Sequence, residues 1–387
     1  MLKHAFDNIK VIELGGYIVG SLCGSLLADL GADVIKFEPF GGDGLRALLG
    51  AFQGWNRGTR GVVIDLRTEE GKAILHRLAR ESDVLVQNLR HGIAEQWGAD
   101  YSTLSRINPR IIYCAMPGYG QSGPYIERPA FDPLLQALSG AMSAQGGTGN
   151  PPVYYRSAIC DYAGAMLGAY GVALALYHRT RTGKGQFLHG ALINAAIAVQ
   201  SGEFVDYDGK PEQEPRIDSL GRDAAYRMYA TKDGWIFLGC EDEPSWSALC
   251  RTLGREDLIT SPGFESHTER QHNALQLSEI LEPLFAGKTS RHWLDLLEKA
   301  GVPCTPVNYA QDLFEHPQIL ENDLVSEHDS ADLGKVKQTG LLVKLSQTPG
   351  KLWRAAPGLG QHNDEVLSEL GYSAVDIQQL RSKRVIL

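Results

Sequence analysis

Five short apolar runs punctuate the first third of the chain, and a helical pattern or a glycine turn separates each from the next. The runs are residues 9–14 (IKVIEL), 33–38 (DVIKFE), 62–65 (VVID), 84–87 (VLVQ) and 111–116 (IIYCAM). Runs of this length predict strands, and their near-continuous apolarity predicts burial on both faces. Gly15, Gly16 and Gly20 follow the first run, and a helix pattern then extends to about Leu30. Thr68 opens a second helix, with Glu69 and Glu70 where the helix dipole favours acids and a stripe of Ile74, Leu75, Leu78 and Ala79. The alternation implies an α/β fold built on a Rossmann-like parallel sheet.

The rest of the chain is less regular. Residues 119–130 form a turn-rich loop, 132–143 a helix pattern, and 145–153 another break. Asp161 begins a long helix of small residues to about Arg179. Residues 206–225 read as a linker. From Tyr226 the character changes to a smaller α+β domain over 226–304. It opens with a hairpin, 226–240, turning at Lys232-Asp233-Gly234, and continues with helices that stop at Gly301. Short strands are expected within 335–350 and helices within 363–382.

Composition excludes several classes. Lys plus Arg is 37 and Asp plus Glu is 46, a net charge of −9, which argues against nucleic acid as a partner. The apolar share of 43% supports a large core rather than disorder. Six cysteines (Cys23, Cys114, Cys160, Cys240, Cys250 and Cys304) lack CxxC or zinc-knuckle spacing, so a reducing cytoplasm fits better than a disulfide framework. The start of the chain lacks the apolar core of a signal peptide. Residues 163–177 are the most apolar stretch, read as a buried helix too short to span a bilayer, so no membrane is expected. His267 and His272 are five apart and do not share a helix face, so no metal site is expected. Gly183-Lys184-Gly185 lacks the remainder of a phosphate loop, and no serine sits in G-x-S-x-G.

Two features carry alternatives. Gly15, Gly16 and Gly20 depart from G-x-G-x-x-G, although Glu38 stands where a ribose-binding acid belongs. They fit either a dinucleotide site or a unit whose glycines serve close packing. Asp161 is either a helix cap or an ionised carboxylate, favoured by the helix dipole, that faces a pocket as a nucleophile.

Seven segments together resemble the family III CoA-transferases. They are VIELGGYIVGSLCGSLLADLGADVIKFEPFGGDGLR (11–46), IDLRTEEGKAIL (64–75), VQNLRHGI (86–93), INPRIIYCAMPGYGQSGPY (107–125), FDPLLQALSG (131–140), DYAGAMLGAYGVALALYHRTRTGKGQ (161–186) and AAPGLGQHNDEVLSELGY (355–372). Each is weak alone, and their order over nearly the whole chain makes them specific. The resemblance implies an enzyme that moves CoA from an acyl-CoA donor to a free carboxylic acid. Asp161 would be the nucleophile, passing through an aspartyl acyl anhydride and an aspartyl-CoA thioester. It places Ile64, Arg67, Asn88, Leu89 and Arg90 along the nucleotide and pantetheine, Phe131 and Asp132 beside the thioester, and Ile18 and Val19 at the acyl end. Arg67 and Arg90 are otherwise ordinary solvated residues. CoA enters as part of the substrate, with no tightly bound cofactor.

The resemblance also implies a homodimer of interlocked ring-like protomers. The large domain would use residues 1–205 and 325–387, with linkers at 206–225 and 305–324. Racemases of 2-methylacyl-CoA thioesters share the fold and are the alternative. They carry a His where this chain has Phe131, which removes a proton-exchanging group. Formyl-CoA transferases carry an Arg where this chain has Pro39, and a glycine run of which only Gly221 remains. Arg216, Arg222 and Arg227 fit either a second carboxylate of the acceptor or a solvated linker.

Overall fold

The computed structural model describes residues 3–210, 218–330 and 332–387. Arg216 and the rest of 211–217 lie outside them. Six strands form one parallel sheet: β1 (Lys10–Glu13), β2 (Asp33–Glu38), β3 (Arg60–Val63), β4 (Val84–Gln87), β5 (Ile112–Ala115) and β6 (Phe187–His189), in the order β3-β2-β1-β4-β5-β6. The chain therefore moves outward from β1 in one direction, then returns to its other side at β4. In such sheets the crevice beyond the carboxyl ends at this reversal is the natural binding site.

Successive residues of each strand point to opposite faces. Ile12, Ile35, Leu85 and Tyr113 belong to one core, with the helix Glu69–Glu81 and the helices Asn363–Glu369 and Ala374–Ser382. Val11, Val34, Val84 and Ile112 belong to the other, with the helices Val19–Asp29 and Ile159–Thr182. The Thr68 hydroxyl accepts the Gly71 N–H, and Ile74, Leu75, Leu78 and Ala79 are all buried, as the sequence predicts.

The helix Ile159–Thr182 differs from expectation. At 24 residues it is long and apolar enough to cross a membrane, so the stretch is not too short on length alone. One face packs into the core through Cys160, Gly164, Gly168, Val172 and Ala175. The opposite face exposes Met166, Tyr170, Leu174 and Tyr177. The expected buried helix is therefore buried on one side only. It ends where Gly183 adopts φ of 70°, as its sequence predicts.

The structure divides into two units. One comprises residues 1–139, 156–205 and 314–387, and the other 140–155 and 206–313. Residues 140–155, expected within the first stretch, thus cluster with the second unit. In that unit β7 (Gly221–Asp223), β8 (Tyr226–Ala230), β9 (Trp235–Gly239) and β10 (Cys304–Pro306) form an antiparallel sheet in the order β10-β9-β8-β7. The hairpin turns at the expected place, whereas β7 occupies part of the expected linker.

The helix expected over 132–143 ends at Leu138, because Gly140 turns with φ of 87° before a separate helix Ala141–Gly146. The strands expected within 335–350 are a hairpin of β11 (Val325–Ser330) and β12 (Gly334–Thr339), so most of 340–350 is irregular. The linker expected at 305–324 includes part of β10 and a helix, Pro317–Glu321.

Candidate active site

The loop after β1 is built on close approach. A Cβ at Gly15 would sit 2.7 Å from the Gly20 Cα, the Asn88 Oδ1 and a Glu13 carboxylate oxygen alike. Of the alternatives left by the sequence, close packing accounts for Gly15 and Gly20, whereas a Cβ at Gly16 would meet only Asp43 Oδ2 at 3.9 Å. Asn88, beyond β4, grips this residue on both sides: its Oδ1 accepts the Gly16 N–H at 3.0 Å and its Nδ2 donates to the Gly16 carbonyl at 2.9 Å. Glu38 is not free for a ribose. Its carboxylate takes a two-pronged contact from Arg46 and the Asp43 N–H at 2.9 Å.

Beneath this loop lies a charged cluster that the sequence concealed within strand patterns. The Lys36 ammonium is fully buried and donates to Glu13 at 3.0 Å, to the Ser21 hydroxyl at 2.8 Å and to the Gly15 carbonyl at 3.3 Å. Asp43 Oδ2 lies 3.1 Å from it. Burial works to lower the Lys36 pKa, but Glu13, Asp43 and Glu38 outweigh it and raise the value. Burial pushes the Glu13 carboxyl up to about 7, against the pull of Lys36. One ammonium thus fastens β1, β2, the following helix and both adjoining loops.

Asp161 stands in the first turn of Ile159–Thr182 without capping it. The N-cap is Ala158, which offers no side-chain bond. Asp132 takes that role from another helix: its Oδ2 accepts the N–H of Cys160 at 2.7 Å and of Asp161 at 3.3 Å. Gln136 holds its other oxygen. The helix-end donors are thus spent on Asp132, and the dipole does not lower the Asp161 pKa as expected. Burial and the neighbouring Asp132 charge push it up to about 7. Among the described residues, no donor reaches the Asp161 carboxyl oxygens.

Asp161 opens into a cavity of about 830 Å³ that Val19, Asn88, Leu89, Arg90 and Phe131 also line. A second cavity, about 390 Å³, is lined by Ile64, Arg67 and Leu89 and by the loop 39–44. Eight of the ten residues singled out from sequence therefore meet at the strand ends. Two do not form walls. Ile18 is buried in the core as the N-cap of Val19–Asp29, and Asp132 lies behind Asp161 as its support. Arg67 is exposed and paired with Asp65 at 2.7 Å.

Arg222 and Arg227, which by sequence fit either an acceptor carboxylate or a solvated linker, have carboxylate partners within the chain. Arg227 is buried against Asp218 and Glu282, and Arg222 pairs with Asp223 and Glu241. Among the described residues no cluster of His, Cys, Asp and Glu suits a metal ion.

Residues 6–363 match CoA-transferase family III. The chain is 32% identical over 393 residues to a succinyl-CoA–D-citramalate CoA-transferase of Chloroflexus aurantiacus, covering 98% of each chain. It is 32% identical over 392 residues to the human succinyl-CoA:glutarate CoA-transferase, covering 98% of this chain and 89% of that one. A CAIB/BAIF family protein from Brucella suis superposes with a TM-score of 0.86 at 30% identity, covering 95% of this chain and all of that one.

Two stability measurements follow from the buried charges. Lys36→Met leaves Glu13 and Asp43 without their cation and should cost about 3–5 kcal/mol in urea unfolding. Adding Glu13→Gln should recover part of that. For Asp161, the folded pKa exceeds that of the unfolded chain, so the folded state holds a proton that the unfolded state has lost. Its contribution is present at low pH and is lost as pH rises from about 4 through about 7. Asp161→Asn should therefore melt above the parent at about pH 8, the gap closing toward about pH 4. Parallel melting curves across that range would contradict the raised pKa.

Proposed function

The chain belongs to CoA-transferase family III, and on that premise we propose that Asp161 carries the transfer through covalent intermediates. The Asp161 carboxylate attacks the donor thioester carbonyl. The carbon–sulfur bond breaks, leaving an aspartyl acyl anhydride and the CoA thiolate. The thiolate then attacks the aspartyl carbonyl, releasing the donor acid and forming an aspartyl-CoA thioester. The acceptor carboxylate attacks this thioester, giving a second anhydride and the thiolate again. The thiolate takes the acceptor acyl group, and the Asp161 carboxylate is restored. No net proton moves.

The observation that carries this reading is a desolvated carboxylate that faces a cavity with no donor on its oxygens among the described residues, while a second carboxylate occupies the helix-end N–H groups. Desolvation makes a carboxylate a better nucleophile when it is ionised. The first turn of Val19–Asp29 carries main-chain N–H groups that its own helix cannot use. Val19 lines the cavity, so these donors suit the oxyanion of each tetrahedral intermediate. The second cavity suits the nucleotide of CoA, with Ile64, Leu66 and Leu89 as apolar wall and Arg67 at its rim.

Relatives named for succinyl-CoA, citramalate and glutarate support dicarboxylic acids as the partners in exchange. Arg90 and Arg128 line the Asp161 cavity and offer positive charge to a second carboxylate. The exposed stripe of Met166, Tyr170, Leu174 and Tyr177 on one helix face supports a second copy of the chain as the partner that covers it. The racemase alternative is disfavoured by Phe131. Its signature is solvent deuterium entering the α-carbon of a 2-methylacyl-CoA.

With succinyl-CoA as donor and glutarate as acceptor, initial rates should give the parallel lines of a double-displacement mechanism. Asp161→Ala should lower kcat/KM on the order of 10³-fold or more while the protein stays folded. Because only the carboxylate attacks, kcat/KM should rise with pH through about 7 and then level. In Asp132→Asn that rise should move to lower pH, since a neighbouring negative charge is gone. Near-parental transfer by Asp161→Ala would remove the mechanism.

A further inference from the structure

Tyr17 is a bulky residue held in a backbone conformation that ordinarily belongs to glycine. Its φ is 60°, a left-handed value that costs a residue of its shape free energy unless the surroundings over-determine it. They do so here. Gly16, immediately before it, is gripped on both its N–H and its carbonyl by Asn88. The Tyr17 N–H points to Asp43 Oδ1 at 3.4 Å, and Lys36 holds the Gly15 carbonyl. A glycine at position 17 would meet the same backbone demand at no steric cost. The tyrosine therefore has to be explained by its ring.

Tyr17 lines both cavities. It is 51% exposed, and it meets the 44% exposed ring of Phe131 edge to face, with centroids 5.9 Å apart and planes at 78°. The two rings come from different elements, one from the loop after β1 and one from the head of the helix Asp132–Leu138. Phe131 directly precedes Asp132, whose carboxylate fixes the turn bearing Asp161. Both residues of the pair thus line the cavity into which Asp161 opens, where an activated acyl group has to be kept from water.

We propose that Tyr17 and Phe131 form an aromatic gate that keeps water from the acyl-aspartyl intermediates, so that they partition to transfer rather than to hydrolysis. This rests on the Asp161 mechanism above. The reaction suppressed is attack of water oxygen on an anhydride or aspartyl thioester carbonyl. It returns the Asp161 carboxylate and releases free acid and free CoA, the net hydrolysis of the donor thioester.

The test is the ratio of free CoA to glutaryl-CoA formed from succinyl-CoA and glutarate, read by chromatography. Tyr17→Gly is the informative variant, because it removes the ring and relaxes the backbone at once. It should melt no lower than the parent yet raise the hydrolysis-to-transfer ratio on the order of tenfold. Phe131→Ala should raise the ratio similarly, and the double variant should add little to either. Tyr17→Phe retains the ring and should restore the parental ratio. A parental ratio in folded Tyr17→Gly overturns the gate, as does a Tyr17→Phe ratio as high as that of Tyr17→Gly. If Asp161→Ala abolishes transfer while Tyr17→Gly partitions like the parent, the gate alone fails. If Asp161→Ala still transfers, the covalent mechanism fails whatever position 17 does.

Discussion

The Asp132 carboxylate, seated on the N–H groups of Cys160 and Asp161, is the interaction on which the account of this site depends. A helix end has unused donors and a partial positive charge. Had Asp161 taken such donors itself, it would be a satisfied cap with its ionised form stabilised. Because a residue from another helix takes them, Asp161 faces the cavity with no donor on its oxygens among the described residues, and its proton is held more tightly than in water. Burial first, and the neighbouring Asp132 charge after it, bring the Asp161 carboxyl to titrate near neutral pH. The same carboxylate also locates Asp161, because the N–H groups it binds belong to the turn that carries the side chain.

The second determinant is the Lys36 cluster. It lies under the loop after β1 and connects that loop to the loop after β2 through Asp43. Both loops line the smaller cavity. A buried ion pair is a weak source of stability, since desolvation offsets its attraction. Its value here is geometric: one ammonium with four oxygens around it admits few arrangements of the chain. The left-handed Tyr17 is held in place above this lattice.

Much of the fold was legible because burial on both faces leaves a recognisable pattern. The runs at 33–38 and 84–87 could be nothing but interior strands, and Thr68 announced its helix by a hydroxyl followed by acids. The helix bearing Asp161 was legible from its small residues, which let the helix Val19–Asp29 pack close. Lys36, Glu13 and Asp43 were not legible as a cluster, because a charged residue within a strand pattern says nothing of its partners across the sheet. The role of Asp132 was hidden for a related reason: a trans cap joins residues nearly thirty positions apart and leaves no spacing signal. Glu38 left two alternatives open because its sequence position fits a ribose acid, and only the structure shows that Arg46 claims it in space. Position 17 was invisible, since sequence does not report φ.

On the proposed mechanism an Asp161 carboxyl oxygen becomes bonded to what it transfers. The direct measurement is to mix the protein with succinyl-CoA, quench with hydroxylamine, digest, and read the mass of the peptide that contains residue 161. The account predicts an aspartyl hydroxamate at Asp161, absent when the donor is omitted. An unmodified Asp161 under conditions of active transfer, or a hydroxamate on another side chain alone, would contradict it.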